Sequence, residues 1–242
     1  MNNKMEKEYR IPVSQSDNRA QLSLPGFFTV FMDLASEHGS DLGMGMDDLA
    51  KKGLIWLATK TKICIHQKPK MFSTVLVSTW PGEPLRARCN RYYTMVHNGI
   101  LMAEAKNEWA MIEPATGRLH RISDAYPQDL IHCQDIVCDT PFFKVSDDFS
   151  NAQTFGEYVV SSGDLDTSNH MNNVQYVRAV MGAFSSETLA SMPVKEIEVA
   201  YRHQCYEKEH LTFKIRENET GCDIGVIKDD GNTAATIRMI YK

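Results

Sequence analysis

The sequence has no long run of apolar residues. Nowhere among its 242 residues does an apolar stretch approach the roughly 20 residues that a membrane-spanning helix needs. The first ten residues, MNNKMEKEYR, are polar, so they lack both the apolar core of a secretory signal and the acid-poor composition of a transit peptide. We therefore expect a cytoplasmic protein that has no membrane partner.

The cysteines form no Cys-x-x-Cys pair, which is the commonest spacing of a zinc or redox site. They stand at Cys64, Cys89, Cys133, Cys138, Cys205 and Cys222. Cys133 and Cys138 have no clear second pair of ligands, and scattered cysteines in a reducing compartment are free thiols. We expect no metal site and no other cofactor.

Acidic residues outnumber basic ones, and the formal net charge is −5. The acidic excess lies in residues 131–242, whereas residues 51–91 hold nine Lys or Arg side chains and a single acid, Glu83. Such a basic segment either attracts an anionic partner or forms solvated strand faces. The acidic balance and the lack of a recognition motif argue against nucleic acid as that partner.

The first half of the chain has the pattern of one helix followed by strands. Ser23 is a suitable N-cap for an apolar stripe at helical spacing that includes Phe27 and Phe31. Residues 59–66 alternate in polarity, and two strand-like runs flank an Asn98-Gly99 pair that is typical of a β-hairpin turn. From about residue 124 to 150 the pattern gives way to Pro, Asp and Ser, which indicates a linker.

The second half repeats this order of elements. A strand at residues 155–161 precedes a helix whose apolar positions include Val177 and Met181, and four strand-like runs close the chain. One helix plus several antiparallel strands, occurring twice, predicts an α+β fold. Each half would be a sheet wrapped on its helix.

The stretch DLDTSNHMNNVQYV, residues 164–177, crowds polar side chains before it turns apolar. Asp166 and His170 are four residues apart, so they would share a face if the helix starts early enough. A carboxylate beside a histidine raises the imidazole pKa and suits it to general-base catalysis. Backbone N–H groups of a helix start can also stabilise an oxyanion. Capping is the alternative for each residue alone, since Thr167, Ser168 and Asn169 are all suitable N-caps.

This stretch resembles the Asp-x-Asp-x-x-x-His-[Val/Met]-Asn-Asn-x-x-Tyr signature of hotdog-fold thioesterases. It is more closely similar to the acyl-acyl carrier protein (acyl-ACP) thioesterases, in a bacterial branch related to the plant chloroplast enzymes. The resemblance covers nearly the whole chain and includes the stretches GLIWLATKTKICI, STWPGEP, RCNRYYTM, NEWAMIEPATGRLHR and VAYRHQC. It implies a tandem (double) hotdog, with two antiparallel sheets that each wrap around a long central helix.

The resemblance also implies an activity and a separate role for each half of the chain. The activity is hydrolysis of an acyl thioester on the phosphopantetheine arm of ACP, which releases a free fatty acid in fatty acid biosynthesis. The N-terminal hotdog, residues 1–125, would shape the acyl pocket. Residues 126–150 would form the linker, and the C-terminal hotdog, residues 151–242, would carry the catalytic groups.

The implied catalytic residues are Asp166 and His170, with Ser168, Gln204 and Cys205 beside them. The family pattern has asparagine at Ser168 and glutamate at Gln204. Because a glutamine cannot take a proton from water, we expect Asp166 or His170 to be the base. Cys205 keeps open a Cys–His nucleophile instead of direct attack by water. The implied substrate-binding residues are Asn172, Asn173 and Tyr176.

Other functions fit the same residues. An acyl-CoA thioesterase on the same fold is one, and a hotdog protein that binds acyl chains without cleaving them is another. If ACP is the partner, its acidic surface is a candidate ligand for the basic segment of residues 51–91. Both a monomer and a homodimer are compatible with a tandem chain.

Overall fold

In the computed structural model, which describes residues 3–127 and 129–241, the strands of both halves join in a single antiparallel sheet. The first half contains β1 (Met5–Arg10), α1 (Leu24–Asp41), α2 (Met46–Ala50), β2 (Ile55–Ile65), β3 (Thr74–Pro81), β4 (Arg88–His97), β5 (Ile100–Glu113) and β6 (Arg118–Leu119). The second half contains β7 (Gln153–Val159), α3 (Asn173–Gly182), α4 (Ser186–Ser191), β8 (Glu196–Tyr201), β9 (His210–Asn218), β10 (Gly221–Lys228) and β11 (Thr233–Ile240).

The sheet differs from the two separate sheets expected above. Its strand order is β1-β3-β4-β5-β2-β8-β11-β10-β9-β7, and β6 pairs with β5. The two halves meet where β2 pairs with β8, in a register that runs from Lys60 opposite Ala200 to Cys64 opposite Glu196. Each of these strands would otherwise be an edge with unpaired N–H and C=O groups, and their pairing satisfies both.

The two longer helices pack against each other and share a core with the sheet. Phe27 and Phe31 of α1 are fully buried in the same apolar cluster as Val177 and Met181 of α3. Ser23 caps α1 by accepting the Gly26 N–H at 3.1 Å, which confirms the predicted helix start. The predicted strand that begins at residue 59 is part of β2, and the predicted Asn98-Gly99 hairpin between β4 and β5 is also confirmed.

The segment of residues 126–150 contains no helix or strand among its described residues, and it lies across the outer face of the sheet. Lys62 of β2 is completely buried there, within 3.3 Å of Glu196 and 3.2 Å of Glu198. Its ammonium group also donates to the Pro141 carbonyl at 2.6 Å. The Trp80 indole N–H donates to the Asp135 carbonyl at 2.9 Å, so the linker is anchored to both β2 and β3.

The structure also bears on the expectations for the cysteines and for the basic segment. All six cysteines are free thiols, as predicted. The basic segment, however, does not form one exposed surface, because Lys62 and Arg91 are buried and Arg88 pairs with Glu108. Among the described residues, no helix is both long and apolar enough to cross a membrane.

Candidate active site

A cavity of about 600 Å³ lies between the two halves of the chain. The first half contributes residues from α1, from α2 and the segment before it, and from β2 to β5, including Met32, Gly39, Met46 and Trp56. The second half contributes residues 166–168, 170–173, 176 and 201–204. The polar motif and the end of β8 therefore face an apolar wall that belongs to the other half.

Residues 166–170 form a closed turn in front of α3. The Asp166 N–H donates to the His170 carbonyl at 2.8 Å, and Leu165 pairs with Met171 as an isolated antiparallel bridge. The Asp166 Oδ1 accepts the Ser168 N–H at 2.8 Å, and Asn169 adopts a left-handed conformation with φ of 60°. A short polar turn of this kind presents several side chains on one side without a helix.

The helix itself begins later than the sequence pattern indicated. Asn172 is the N-cap of α3, since its Oδ1 accepts the Val174 N–H at 2.9 Å. The interpretation of Thr167, Ser168 or Asn169 as the cap was therefore wrong. Asp166 and His170 also do not share a helix face, because both precede the helix.

Asp166 and His170 nevertheless meet at the cavity. The carboxylate accepts the backbone N–H of His170 at 3.5 Å, and no hydrogen bond within the described residues joins it to the imidazole ring. The ring is half-buried and stands edge-on against Tyr206, with centroids 5.1 Å apart and planes at 75°. Ser168 lines the same cavity and is exposed. The geometry thus places a carboxylate, an imidazole and a hydroxyl on one wall.

Two of the three expected substrate-binding residues serve the structure of the site through their polar groups. Asn172 uses its side chain as the helix cap, as described above. The Tyr176 hydroxyl accepts the Cys205 N–H at 3.1 Å and donates to the His203 carbonyl at 3.4 Å. Burial raises the pKa of this phenol. Asn173 is the first residue of α3 and lines the cavity, and its carbonyl accepts the Tyr201 hydroxyl at 3.2 Å.

Gln204 and Cys205 are adjacent in sequence but face different surroundings. Gln204 is exposed at the cavity, and its Oε1 accepts the Tyr206 hydroxyl at 3.4 Å. Cys205 is completely buried in the main apolar core and does not line the cavity. Burial raises the pKa of its thiol. The geometry therefore favours water over Cys205 as the nucleophile.

The structure adds residues that the sequence interpretation missed. Trp56 and Arg91 of the first half and His203 of the second line the cavity. The Thr167 hydroxyl donates to the Met46 sulfur at 3.0 Å, which links the polar turn to α2. His203 had a usable signal, because it directly precedes Gln204 in a stretch already singled out. Trp56 and Arg91 also lie in stretches singled out above, GLIWLATKTKICI and RCNRYYTM, but their place at the cavity depends on contact across the two halves, which is not encoded locally.

Two sequence profiles match nearly the whole chain. The profile described as the acyl-ACP thioesterase N-terminal domain matches residues 2–130, and that of the C-terminal domain matches residues 148–242. The chain belongs to the acyl-ACP thioesterase family. This confirms the resemblance seen in the motif and in the tryptophan-containing strands. The members of this family are hydrolases of thioesters.

Curated members of the family are similar at low identity. The chloroplastic acyl-[acyl-carrier-protein] hydrolase FATB3 of Cuphea viscosissima is 24% identical over 202 residues, which cover 76% of this chain and 47% of that protein. The chloroplastic oleoyl-acyl carrier protein thioesterase 2 of Arabidopsis thaliana is 22% identical over 228 residues, which cover 86% and 60%. The chain spans about half the length of the curated relatives it matches.

Solved structures of family members share the fold. An acyl-ACP thioesterase from Bacteroides thetaiotaomicron superimposes with a TM-score of 0.84 at 20% identity, covering 99% of this chain and 98% of that chain. A 12:0-ACP thioesterase from Umbellularia californica superimposes with a TM-score of 0.82 at 17% identity, covering 100% and 98%. The large antiparallel sheet with few helices is therefore the acyl-ACP thioesterase fold.

Proposed function

We propose that this chain hydrolyses acyl-ACP thioesters and releases the free fatty acid. Family membership supports the reaction class. The observation that carries the proposal is the cavity, because it joins the polar turn of residues 166–170 to an apolar wall from the first half. An acyl chain fits the apolar part, and its thioester carbonyl fits the polar part.

The thioester carbonyl binds near the start of α3. Asn173 lines the cavity at the first position of this helix. The N-terminus of a helix carries a partial positive charge and unpaired N–H groups, which stabilise the oxyanion that forms when the carbonyl is attacked. Asn172 holds the start of the helix in place as its N-cap, and Ser168 holds the turn through its N–H to Asp166.

Water is the nucleophile in this proposal. Asp166 accepts a proton from water, and His170 and Gln204 orient that water. The hydroxide adds to the carbonyl, the C–S bond breaks, and the phosphopantetheine sulfur leaves with the proton. Catalysis is assigned to residues 151–242 and the shaping of the acyl pocket to residues 1–125, with Thr167 and Met46 in contact between them.

We also propose that each half of the sheet with its helix is one hotdog unit, and that the two units are fused side by side at β2 and β8. The repeated order of helix and strands supports this division. A cytoplasmic location is proposed as well, because all six cysteines are free thiols, as is typical of a reducing compartment.

Docking of ACP is assigned to the basic residues that remain exposed. Lys51 and Lys52 are exposed and follow α2 directly, and Met46 of α2 touches the polar turn. These lysines therefore lie close to the cavity. Because surface charges are screened by salt, added salt should raise KM for acyl-ACP more than KM for the matching acyl-CoA. An equal response of the two substrates would contradict docking by charge.

The deciding experiment is a hydrolysis assay with ACP-bound acyl chains of graded length. Asp166→Ala and His170→Ala should each lower kcat by about two to four orders of magnitude, if they act as base and orienting group. Ser162→Ala is the matched control, since Ser162 is exposed and does not line the cavity. Thermal unfolding of all three variants checks that the fold persists.

The outcomes separate the three functions. Turnover of acyl-ACP well above that of acyl-CoA supports the proposal, and the reverse order indicates an acyl-CoA thioesterase. An acyl thioester that binds and survives incubation indicates an acyl-binding protein. Wild-type turnover in both Asp166→Ala and His170→Ala would refute the assignment of the site.

A further inference from the structure

Arg91 is a buried cation on the cavity wall without a carboxylate partner among the described residues. Its side chain is only 8% exposed, and it belongs to β4 of the first half. The Nη1 donates to His38 Nδ1 at 3.1 Å and to Thr79 Oγ1 at 3.3 Å. Its other two nitrogens, Nε and Nη2, make no hydrogen bond within the part of the chain that is described.

A buried charge is normally neutralised by an opposite charge. Lys62 shows this elsewhere in the chain, because it contacts two carboxylates within 3.3 Å. The guanidinium group of arginine is a permanent cation with five N–H donors. Arg91 lines the same cavity that contains Asp166 and His170, and its Nε and Nη2 are the donors left without a protein partner among the described residues.

We propose that Arg91 binds an oxygen substituent, a hydroxyl or oxo group, on the acyl chain of the substrate. This inference rests on the proposed thioesterase function and names a class of substrate for it. A hydroxyl or carbonyl oxygen accepts hydrogen bonds from Nε and Nη2, whereas a plain hydrocarbon chain removes water from the guanidinium and returns no acceptor.

Other anionic or polar parts of the substrate do not suit this position. The phosphate of the phosphopantetheine arm is attached to the surface of the carrier protein, and Arg91 is too deeply buried to reach it. The thioester carbonyl lies at the polar turn on the wall that the second half provides. The part of an acyl thioester that meets the first-half wall is the chain itself.

The test compares pairs of acyl-ACP substrates of equal length, one plain and one hydroxylated, with the hydroxyl moved along the chain. Wild-type protein should show kcat/KM about 10- to 100-fold higher for the hydroxylated member at one position or a few adjacent ones, as for a hydrogen bond to a charged group. Arg91→Met should abolish this preference, because it removes the hydrogen bonds to the hydroxylated member and the desolvation cost for the plain one. Arg91→Lys keeps the charge and should keep part of the preference.

Arg86→Met is the matched control, because Arg86 is exposed and does not line the cavity. The ratio of kcat/KM for the hydroxylated substrate to kcat/KM for the plain one should be the same in Arg86→Met as in the wild type. If the wild-type protein hydrolyses plain chains as fast as hydroxylated ones, wherever the hydroxyl lies on the chain, the inference is overturned. The thioesterase function would remain intact. No hydrolysis of any substrate would overturn both. The wild-type comparison decides even if Arg91→Met fails to fold.

Discussion

Replacing Tyr176 with phenylalanine should damage the site through the loop that follows β8. The phenol of Tyr176 accepts the N–H of Cys205 and donates to the carbonyl of His203. These two bonds tie residues 203–205 to α3, and Gln204 stands between the bonded residues. The substitution removes both bonds but keeps the buried ring and its packing.

The expected loss of stability in Tyr176→Phe follows from the burial of Cys205. A buried N–H that loses its acceptor costs about 1–3 kcal/mol of folding free energy. For a chain of this size each kcal/mol shifts Tm by roughly 2–4 °C, so Tyr176→Phe should lower Tm by roughly 2–12 °C. Because Gln204 loses its anchor, kcat should fall by up to about tenfold while KM changes less.

The control is Tyr201→Phe. Tyr201 is a neighbouring half-buried tyrosine that also lines the cavity, and its hydroxyl donates to the Asn173 carbonyl at 3.2 Å. Loss of this hydroxyl removes the bond to Asn173 but leaves no buried N–H without an acceptor, so the cost should be about 0.5–1.5 kcal/mol. Calorimetry and the hydrolysis assay measure both variants. A Tyr176→Phe protein as stable and active as Tyr201→Phe would refute the reasoning.

The pH dependence of this effect has a defined sign. Burial raises the pKa of Tyr176, so the folded state keeps the phenol proton where an unfolded chain loses it. The stability that Tyr176 contributes is fully present below the unfolded pKa of about 10 and is lost above it. The Tm difference between wild type and Tyr176→Phe should be constant from pH 6 to 9 and should narrow above pH 10.

The remaining predictions concern buried groups. Cys205→Ala should keep kcat within about threefold of wild type, while His170→Ala loses two orders of magnitude or more; equal losses would make the buried thiol the nucleophile. Under native conditions iodoacetamide should label the half-buried Cys133 but not Cys205, whose thiol pKa is raised by burial, and peptide mass spectrometry detects the difference. Lys62→Met leaves the buried Glu198 and the half-buried Glu196 without their cation and should cost about 3–5 kcal/mol. The half-buried Lys60→Met on the same strand should cost under about 1 kcal/mol, and similar unfolding curves for the two would contradict the role of Lys62.

Local signals predicted much of the fold. Ser23 acts as the N-cap that its position indicates, and the Asn98-Gly99 pair forms the expected hairpin. Phe27, Phe31 and Val177 are buried as their helical spacing predicts. In each case the signal and the structure involve residues close in sequence, so propensity and periodicity are sufficient.

The differences arise where distant segments meet. Whether β2 ends a sheet or continues into β8 depends on an edge-to-edge contact between residues 55–65 and 196–201, which no local pattern encodes. The alternation of β2 places Lys62 on the face away from the helices, where a lysine is normally solvated. The linker covers that face and buries it. Arg91 is also buried by residues distant in sequence, since its guanidinium contacts His38 of α1 and Thr79 of β3.

The start of α3 was misplaced for a different reason. Thr167, Ser168 and Asn169 are all good N-caps, and so is Asn172, so cap preference does not choose among them. The choice is made by the turn, in which Asp166 bonds back to His170 and Leu165 pairs with Met171. Because residues 166–170 already belong to this turn, the helix begins after them, with Asn172 as its N-cap.

The two aspartates at the front of the motif have separate roles because of what surrounds them. Asp164 is only 6% exposed, and its carboxylate accepts bonds from the Tyr158 hydroxyl and from both the N–H and the hydroxyl of Ser161. It does not line the cavity, so its charge holds the 3-10 turn at Ser162–Asp164. Asp166 lines the cavity, and the backbone bonds that it accepts engage only its Oδ1. The second carboxylate oxygen is left for a water molecule, which is the arrangement a general base requires.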